Sequence, residues 1–353
     1  MRVRYIIALL AVAALLYLSL WPTGRTFESF EVEPSLALPN TLPQNLPLDS
    51  LRDFGTVGEG PEDIAVDVAG KLYTGIADGH VMTFTPGEKT WRALTVTYGR
   101  PLGLAFSPDE RWLYIADAEK GLMRTDKQGH LERLVDTLAG EDLGLVDDLA
   151  VAPDGRVYFT AATREFGVDE FREALLTHYG TGQLLRYDPK TQTLDVLLDG
   201  LQFANGVAID AAGEYVYVAE TGNYRVLRTP LNALRLPREP EVFVERLPGF
   251  PDGLSFDDQG QLWVAIVAPR SDLLDALGPH PSLREAIYRL PQRFKSGANQ
   301  TVSLALALDQ DGNIADALRG SNEAAPGITN LVWRGDTVYV GSLFGRRVKW
   351  GVL

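Results

Sequence analysis

The chain has 353 residues, 45% of them hydrophobic, and carries a net charge of −14. That sign of field repels phosphate backbones and argues against nucleic acid as a partner. The absence of cysteine excludes disulfides, thiol chemistry and Cys-ligated zinc, and the four histidines (His80, His130, His178, His280) form no H-x-x-x-H pair.

The chain opens on Arg2 and Arg4, followed by an uncharged run from Tyr5 to Trp21. At ~1.5 Å per helical residue the run reaches ~25 Å, enough to cross a thin bilayer. The flanking arginines place the N-terminus in the cytoplasm and the rest of the chain across the membrane, in a periplasmic, extracytoplasmic or lumenal space. A cleaved signal peptide is the competing reading, but "SLWPTG" offers no small-x-small cleavage site. Residues 1–21 are therefore read as a single-pass transmembrane anchor. Residues 22–50 carry Pro22, Pro34, Pro39, Pro43 and Pro47 with little periodicity, and read as an extended tether.

From residue 51 to 353 the sequence repeats. Six segments share one pattern: a variable residue, a small or polar one, an aliphatic, a small or aliphatic one, then a large apolar residue. They start at Glu62, Leu102, Asp147, Asn205, Asp252 and Thr329. A turn follows each, often with Asp or Gly ("SPDER", "APDGR", "DDQGQ"), and then a second strand with an aromatic at a fixed place: Tyr73, Tyr114, Tyr158, Tyr217, Trp263, Tyr339. Strand, turn, strand repeated in this way predicts an all-β, six-bladed β-propeller. Residues 51–57 are expected to supply the outer strand of the blade that begins at Thr329, so that the chain ends close the ring.

In a propeller the first strand of each blade lines the central channel, so the six variable residues ring one mouth. Three are carboxylates and one an amide. Two carboxylates ~5 Å apart repel by ~3 kcal/mol at an effective dielectric near 20. A hard divalent cation relieves that repulsion, and Ca²⁺, which takes ~6 to 8 oxygens, suits Glu62, Asp147, Asn205 and Asp252 as ligands. Asp63 and Asp148, one place further on, are expected to point away from the axis and hydrogen-bond the neighbouring blade. Asp117, at the end of "LYIAD", falls near the same rim and is a second acid–base candidate or else a turn cap. No G-x-S-x-G elbow exists.

Two insertions interrupt the blades. "GVDEFREALLTHYG" (167–180) predicts one short amphipathic helix, and residues 271–294 predict two, split at Gly278–Pro279, with Ser271 as an N-cap. They are expected over the channel mouth, as a lid or a surface leaning on the bilayer, or else against the blade sides.

"GPEDIAVD", "GQLLRYDPKTQTLDVLLDGLQFANGVAI", "VYVAETGNYRV" and "LPGFPDGLSFDDQGQLWVAI" resemble the strictosidine-synthase-like family, which is related to the paraoxonases and to the gluconolactonase/senescence-marker group. The resemblance covers nearly all of residues 51–353, and the N-terminal anchor resembles that of a membrane-associated animal member. It implies a six-bladed propeller with calcium on its axis. Glu62 matches the family glutamate, Asn205 the Asn of "ANG", and Asp252 the Asp of the "PD" strand start. Asp147 falls where related enzymes have Asn. Gly253 replaces an Asn ligand of the paraoxonases. Thr329 stands where true strictosidine synthase has its glutamate, so condensation of an amine with an aldehyde lacks its base. What the resemblance leaves is a membrane-anchored, calcium-dependent hydrolase of small lactones or esters, with Asp252 as the base. The rival is a non-catalytic propeller that uses calcium as a rivet and binds a partner.

Overall fold

The computed structural model describes residues 2–39, 42, 47–231, 239–291, 302–321, 323 and 325–352. Among them, six four-stranded antiparallel sheets follow one another along the chain, strands consecutive in sequence pairing within each except for the outer strand of the last sheet. Their first strands are Ile64–Val66, Pro101–Phe106, Leu145–Val151, Ala204–Ile209, Gly249–Phe256 and Ile328–Arg334. The sheets are the blades of a propeller, and the repeat read from the sequence is the blade repeat.

The fixed aromatic has a structural reason. In every blade it pairs with a small or modest side chain of the first strand: Tyr73 opposite Ala65, Tyr114 opposite Ala105, Tyr158 opposite Ala150, Tyr217 opposite Ala208, Trp263 opposite Ser255 and Tyr339 opposite Val332. Neighbouring blades meet over these rings. The Tyr73 ring stands edge-on to Phe106 of the next blade, and Tyr217 edge-on to Phe256. Such pairs add about 0.5–1.5 kcal/mol beyond the area they bury. The turns between first and second strands are Asp-capped. Asp257 Oδ1, for example, accepts the N–H groups of Gln259 and Gln261 at 2.9 Å, and Gly260 takes φ +80°, a left-handed conformation that favours glycine.

The ring closes as expected. Arg52–Asp53 pairs with Lys349–Val352, Arg52 opposite Trp350, and so forms the outer strand of the last blade. Phe54 stacks on Trp350 at 5.4 Å beside this seam.

The N-terminal run is helical over Arg2–Leu20 (α1), with Ile6, Ile7, Leu9, Leu16 and Leu20 exposed. Among the described residues, however, no helix is long and apolar enough to cross a membrane, so α1 does not by itself establish the expected span. The tether is extended, as its prolines require, but it is not free. Glu28 N–H donates to Thr177 O, Phe30 N–H to Gly278 O and Leu36 N–H to Arg246 O, and Leu48 is buried against the fifth blade. Part of the expected tether (residues 40, 41 and 43–46) lies outside the described residues.

The insertions form α2 (Phe171–Thr177), α3 (Asp272–Leu277) and α4 (Pro281–Tyr288). Ser271 caps α3 as predicted, its Oγ accepting Leu274 N–H at 3.2 Å. Both insertions join the second strand of a blade to the third. In an antiparallel blade that connection lies at the end where the first strand begins, so the insertions and the ring residues share one mouth.

Candidate functional site

The ring residues are set by a repeated defect in the sheets. The pairing of first and second strands skips two residues in five blades, between Pro101 and Leu104, Val146 and Leu149, Ala204 and Val207, Pro251 and Leu254, and Ile328 and Leu331. In the first blade pairing begins at Ile64, just after Glu62–Asp63. The skipped pairs are the first two positions of the sequence repeat. A bulge takes residues off the ladder and re-aims their side chains, which frees these pairs for the channel and for the neighbouring blade.

In the first, third and sixth blades the second member of the pair bolts blades together. Asp63 Oδ2 accepts Leu104 N–H of the next blade at 2.6 Å, while its Oδ1 accepts Ile64 N–H and Asn330 Nδ2. Asp148 Oδ2 accepts Val207 N–H of the next blade at 2.8 Å, and its Oδ1 accepts Leu149 N–H. The blade-bridging role expected of both acids is what these bonds describe. Between the bolts, glycine is needed for closeness. A Cβ on Gly103 would lie 2.6 Å from Asp148 Oδ1, and one on Gly253 would lie 2.4 Å from Thr329 O.

Three of the first members carry charge. Asp147 is buried and Glu62 and Asp252 partly so, and burial pushes each carboxyl pKa up. The acids also act on one another: the charges of Asp147 and Glu62 raise Asp252, and that of Glu62 raises Asp147. Their common register position, just ahead of the evenly paired part of each first strand, sets the three at one mouth. Asn205, in the same register position, is 6% exposed. Thr329 spends its hydroxyl on Glu62 O at 2.7 Å, closing the last blade on the first.

Arg100 was missed by sequence reasoning. It precedes the second blade's first strand, is 6% exposed, and donates through Nη2 to Glu62 Oε1 at 2.5 Å and to Gly60 O at 2.9 Å. Its Nη1 is buried with no hydrogen-bond partner among the described residues. The signal was a lone cation, in "GRPLG", next to a ring of acids. Asp117 explains its position: Oδ1 accepts Arg100 N–H, Glu119 N–H and Lys120 N–H, each at 3.0 Å. Through Oδ1 Asp117 is thus a turn cap that holds the Arg100 backbone, while its Oδ2 is buried with no hydrogen-bond partner among the described residues.

The donor types fit a hard cation: three carboxylates and an amide oxygen, with more negative than positive charge. The arrangement differs from the expected one in a single respect. Among the described residues no three acidic side chains close into a metal-holding group, and Glu62 turns to Arg100. A guanidinium one strand away satisfies a buried carboxylate more cheaply than two other carboxylates do.

Over the mouth lies α2. Phe171, Ala174 and Leu175, with Val168 just before the helix, pack on Leu102, Leu145, Ala162 and Phe203. Leu102 is the ring residue of the second blade, so the 167–180 insertion takes the lid position rather than a blade side.

Comparison with known proteins agrees with this architecture. The signature described as SMP-30/Gluconolactonase/LRE-like region matches residues 118–275, and the strictosidine synthase-like N-terminal signature matches residues 44–84. The adipocyte plasma membrane-associated protein of Bos taurus is 32% identical over 308 residues, 81% of this chain and 74% of that protein. Among solved structures, a gluconolactonase from Xanthomonas campestris superposes with a TM-score of 0.61 at 18% identity, over 92% of this chain and 98% of that one. Regucalcin from Agrobacterium tumefaciens, described as a calcium-binding protein, gives 0.58 at 17% identity, over 91% and 95%. At these identities the two structures speak for the fold.

Proposed function

The chain belongs to the family of strictosidine synthase-like and adipocyte plasma membrane-associated proteins, and from that premise we propose that it is a calcium-dependent hydrolase of lactones or esters, held at a membrane by α1. One observation carries the reading. Three carboxyl groups with raised pKa values meet at one mouth, beside a buried guanidinium N–H that lacks an acceptor. Buried like charges and an orphan donor are costly for a scaffold and are the usual apparatus of a site.

Glu62, Asp147, Asn205 and Asp252 would hold the ion. When bound, calcium supplies Lewis-acid polarisation of a carbonyl oxygen. Asp252 acts as general base. It takes the proton of an attacking water as the water oxygen bonds to the acyl carbon, and returns the proton to the departing alkoxide as the C–O bond breaks. Arg100 Nη1 donates to a substrate oxygen and orients it. Thr329 has no carboxylate to offer an amine–aldehyde condensation. The regucalcin described as calcium-binding and the gluconolactonase on the same fold support this direction. For the membrane, the support is the exposed apolar surface of α1 and the printed name of the bovine relative. The orientation follows Arg2 and Arg4, with the N-terminus cytoplasmic and the propeller exported.

The test is metal analysis of purified protein, with a lactone and aryl-ester panel run with and without chelator. Chelator-sensitive hydrolysis that Asp252→Asn abolishes is the expected result. Stoichiometric calcium with no hydrolysis across the panel would overturn it and leave the non-catalytic, ion-riveted propeller. Retention in the membrane fraction after alkaline carbonate washing checks the anchor.

A further inference from the structure

The lid helix α2 is short, at seven residues, and ends on His178 in a left-handed turn. Such a helix does not hold itself in place, since isolated helices below ~12 residues are marginal in water. What holds it is Arg284 of α4, whose residue exposure is 0%. Arg284 Nη1 donates to Leu176 O at 2.6 Å and Thr177 O at 3.1 Å, at the C-terminus of α2. Its Nε donates to Leu277 O at 3.1 Å and its Nη2 to Gly278 O at 3.3 Å, at the C-terminus of α3. Nη2 also donates to Glu28 O of the N-terminal segment. One guanidinium thus sits where two helix C-termini, each rich in unpaired carbonyls, converge with an extended strand.

The N-terminal segment is built into the same joint. The Phe30 ring stacks on His178 at 3.7 Å and lies under the Arg284 guanidinium at 4.9 Å. Glu28 N–H and Phe30 N–H pair with Thr177 O and Gly278 O. Burial drives the His178 pKa down to about 4, so the imidazole is neutral and offers Phe30 a plain stacking face. Upstream, Arg25 lies over Phe166 at 4.4 Å, and Arg289 donates to Leu18 O and Trp21 O, both at 2.6 Å, at the end of α1. At its other end α2 reaches across the mouth: the Arg172 guanidinium lies 5.9 Å from the Phe344 ring of the sixth blade, which stands opposite the third.

We propose that Phe30 and Arg284 form a latch through which the N-terminal segment, residues 23–33, holds α2 closed over the acidic mouth, so that the segment is a strap controlling access to the channel. Displacing the strap takes the Glu28 and Phe30 N–H groups from Thr177 O and Gly278 O and the Phe30 ring from His178, so that α2 keeps the Arg284 bonds without the strap behind them and lifts more readily from Leu102 and Phe203. This stands apart from the hydrolase reading, because it concerns access to the axial carboxyl groups, whatever chemistry they perform.

The experiment uses the full chain and the variants Arg284→Met and Phe30→Ala. Two quantities are read by mass spectrometry: amide hydrogen exchange across 171–177, and the rate at which a water-soluble carbodiimide with an amine labels Asp252, with exposed Asp311 as reference. Faster exchange in α2, by tenfold or more, together with labelling of Asp252 several-fold faster at an unchanged Asp311 rate, is the expected result. Faster exchange without faster labelling would overturn the lid, and unchanged exchange would overturn the latch. Should Arg284→Met fail to fold, Phe30→Ala decides alone, since it removes the stacked ring and leaves the guanidinium bonds to α2 and α3 in place. Unchanged exchange in that variant refutes the strap.

Discussion

Replacing Arg100 by Met tests the electrostatic account of the mouth. The Arg100–Glu62 pair is nearly dry, with side-chain exposures of 7% and 12% and a contact of 2.5 Å. Removing one partner of a buried pair costs about 3–5 kcal/mol when the other stays charged. Glu62 has an escape, which is to take up a proton. Its pKa is already raised by burial, with Arg100 pulling the other way, and loss of Arg100 raises it further. The sign then follows. Below the unfolded carboxyl pKa, Glu62 is neutral in both states and the substitution costs only the bond to Gly60 O. As pH rises, the wild-type folded group, held down by Arg100, ionises before the variant's does, and the gap between the two proteins grows by about 1.36 kcal/mol per pH unit until the variant's group ionises too. At ~2 °C per kcal/mol for a domain of this size, the melting temperature of the variant should sit within a few degrees of wild type near pH 4.5 and fall ~6–10 °C below it by pH 8. Scanning calorimetry in chelator across that range measures the gap. Calcium at about a hundred times its dissociation constant should then return ~2.7 kcal/mol to the variant, because the ion takes over the counter-charge role. A gap that stays constant from pH 4.5 to 8 would refute the claim that Glu62 carries a buried charge balanced by Arg100.

Further outcomes follow from the same geometry. Asp252→Asn should lower hydrolysis by about 10²–10⁴-fold, the usual worth of a general base, with the melting temperature held or raised, as read by steady-state rates beside calorimetry. Calcium binding should release protons, since Asp147 and Asp252 have raised pKa values and a bound cation reverses that shift; calorimetric titration in two buffers of different ionisation heat counts them. Gly103→Ala should cost about 1–3 kcal/mol in a chemical denaturation curve, because its Cβ would meet Asp148 Cα at 2.7 Å and there is no slack in the bolt.

The propeller was legible in the sequence because each blade writes the same constraints again. A small residue faces an aromatic across the first pair of strands, as Ala150 faces Tyr158, and an Asp-capped turn lies between them. Six copies make such a weak local signal strong, and the closure through Arg52–Asp53 follows because a ring leaves no edge. The N-terminal segment was legible only in part. Five prolines announce an extended backbone, but nothing in "TFESFEVE" announces that Phe30 will be sandwiched between an imidazole and a guanidinium more than a hundred residues away. Contacts of that range depend on which loops share a mouth, which is a property of the assembled ring.

The site divides along the same line. Positions that recur in every blade, Glu62, Asp147, Asn205 and Asp252 among them, were found by register alone. Arg100 was not, because it lies just outside the repeated pair and has no counterpart in the other blades. Its importance comes from the Glu62 carboxylate of the adjacent blade and from the turn cap at Asp117 that fixes its backbone. A repeat reveals what a fold needs everywhere. A site departs from the repeat at the one blade where chemistry asks for something else, and in a ring of acids the departure to look for is the single base. The bolts make the converse case. Asp63 and Asp148 carry the same charge as the ring acids, yet both of their oxygens accept backbone N–H groups, one of them across a blade boundary, as their place in the repeat led us to expect. Saturated acceptors hold the frame, while Arg100 Nη1, buried with no partner among the described residues, remains for a ligand.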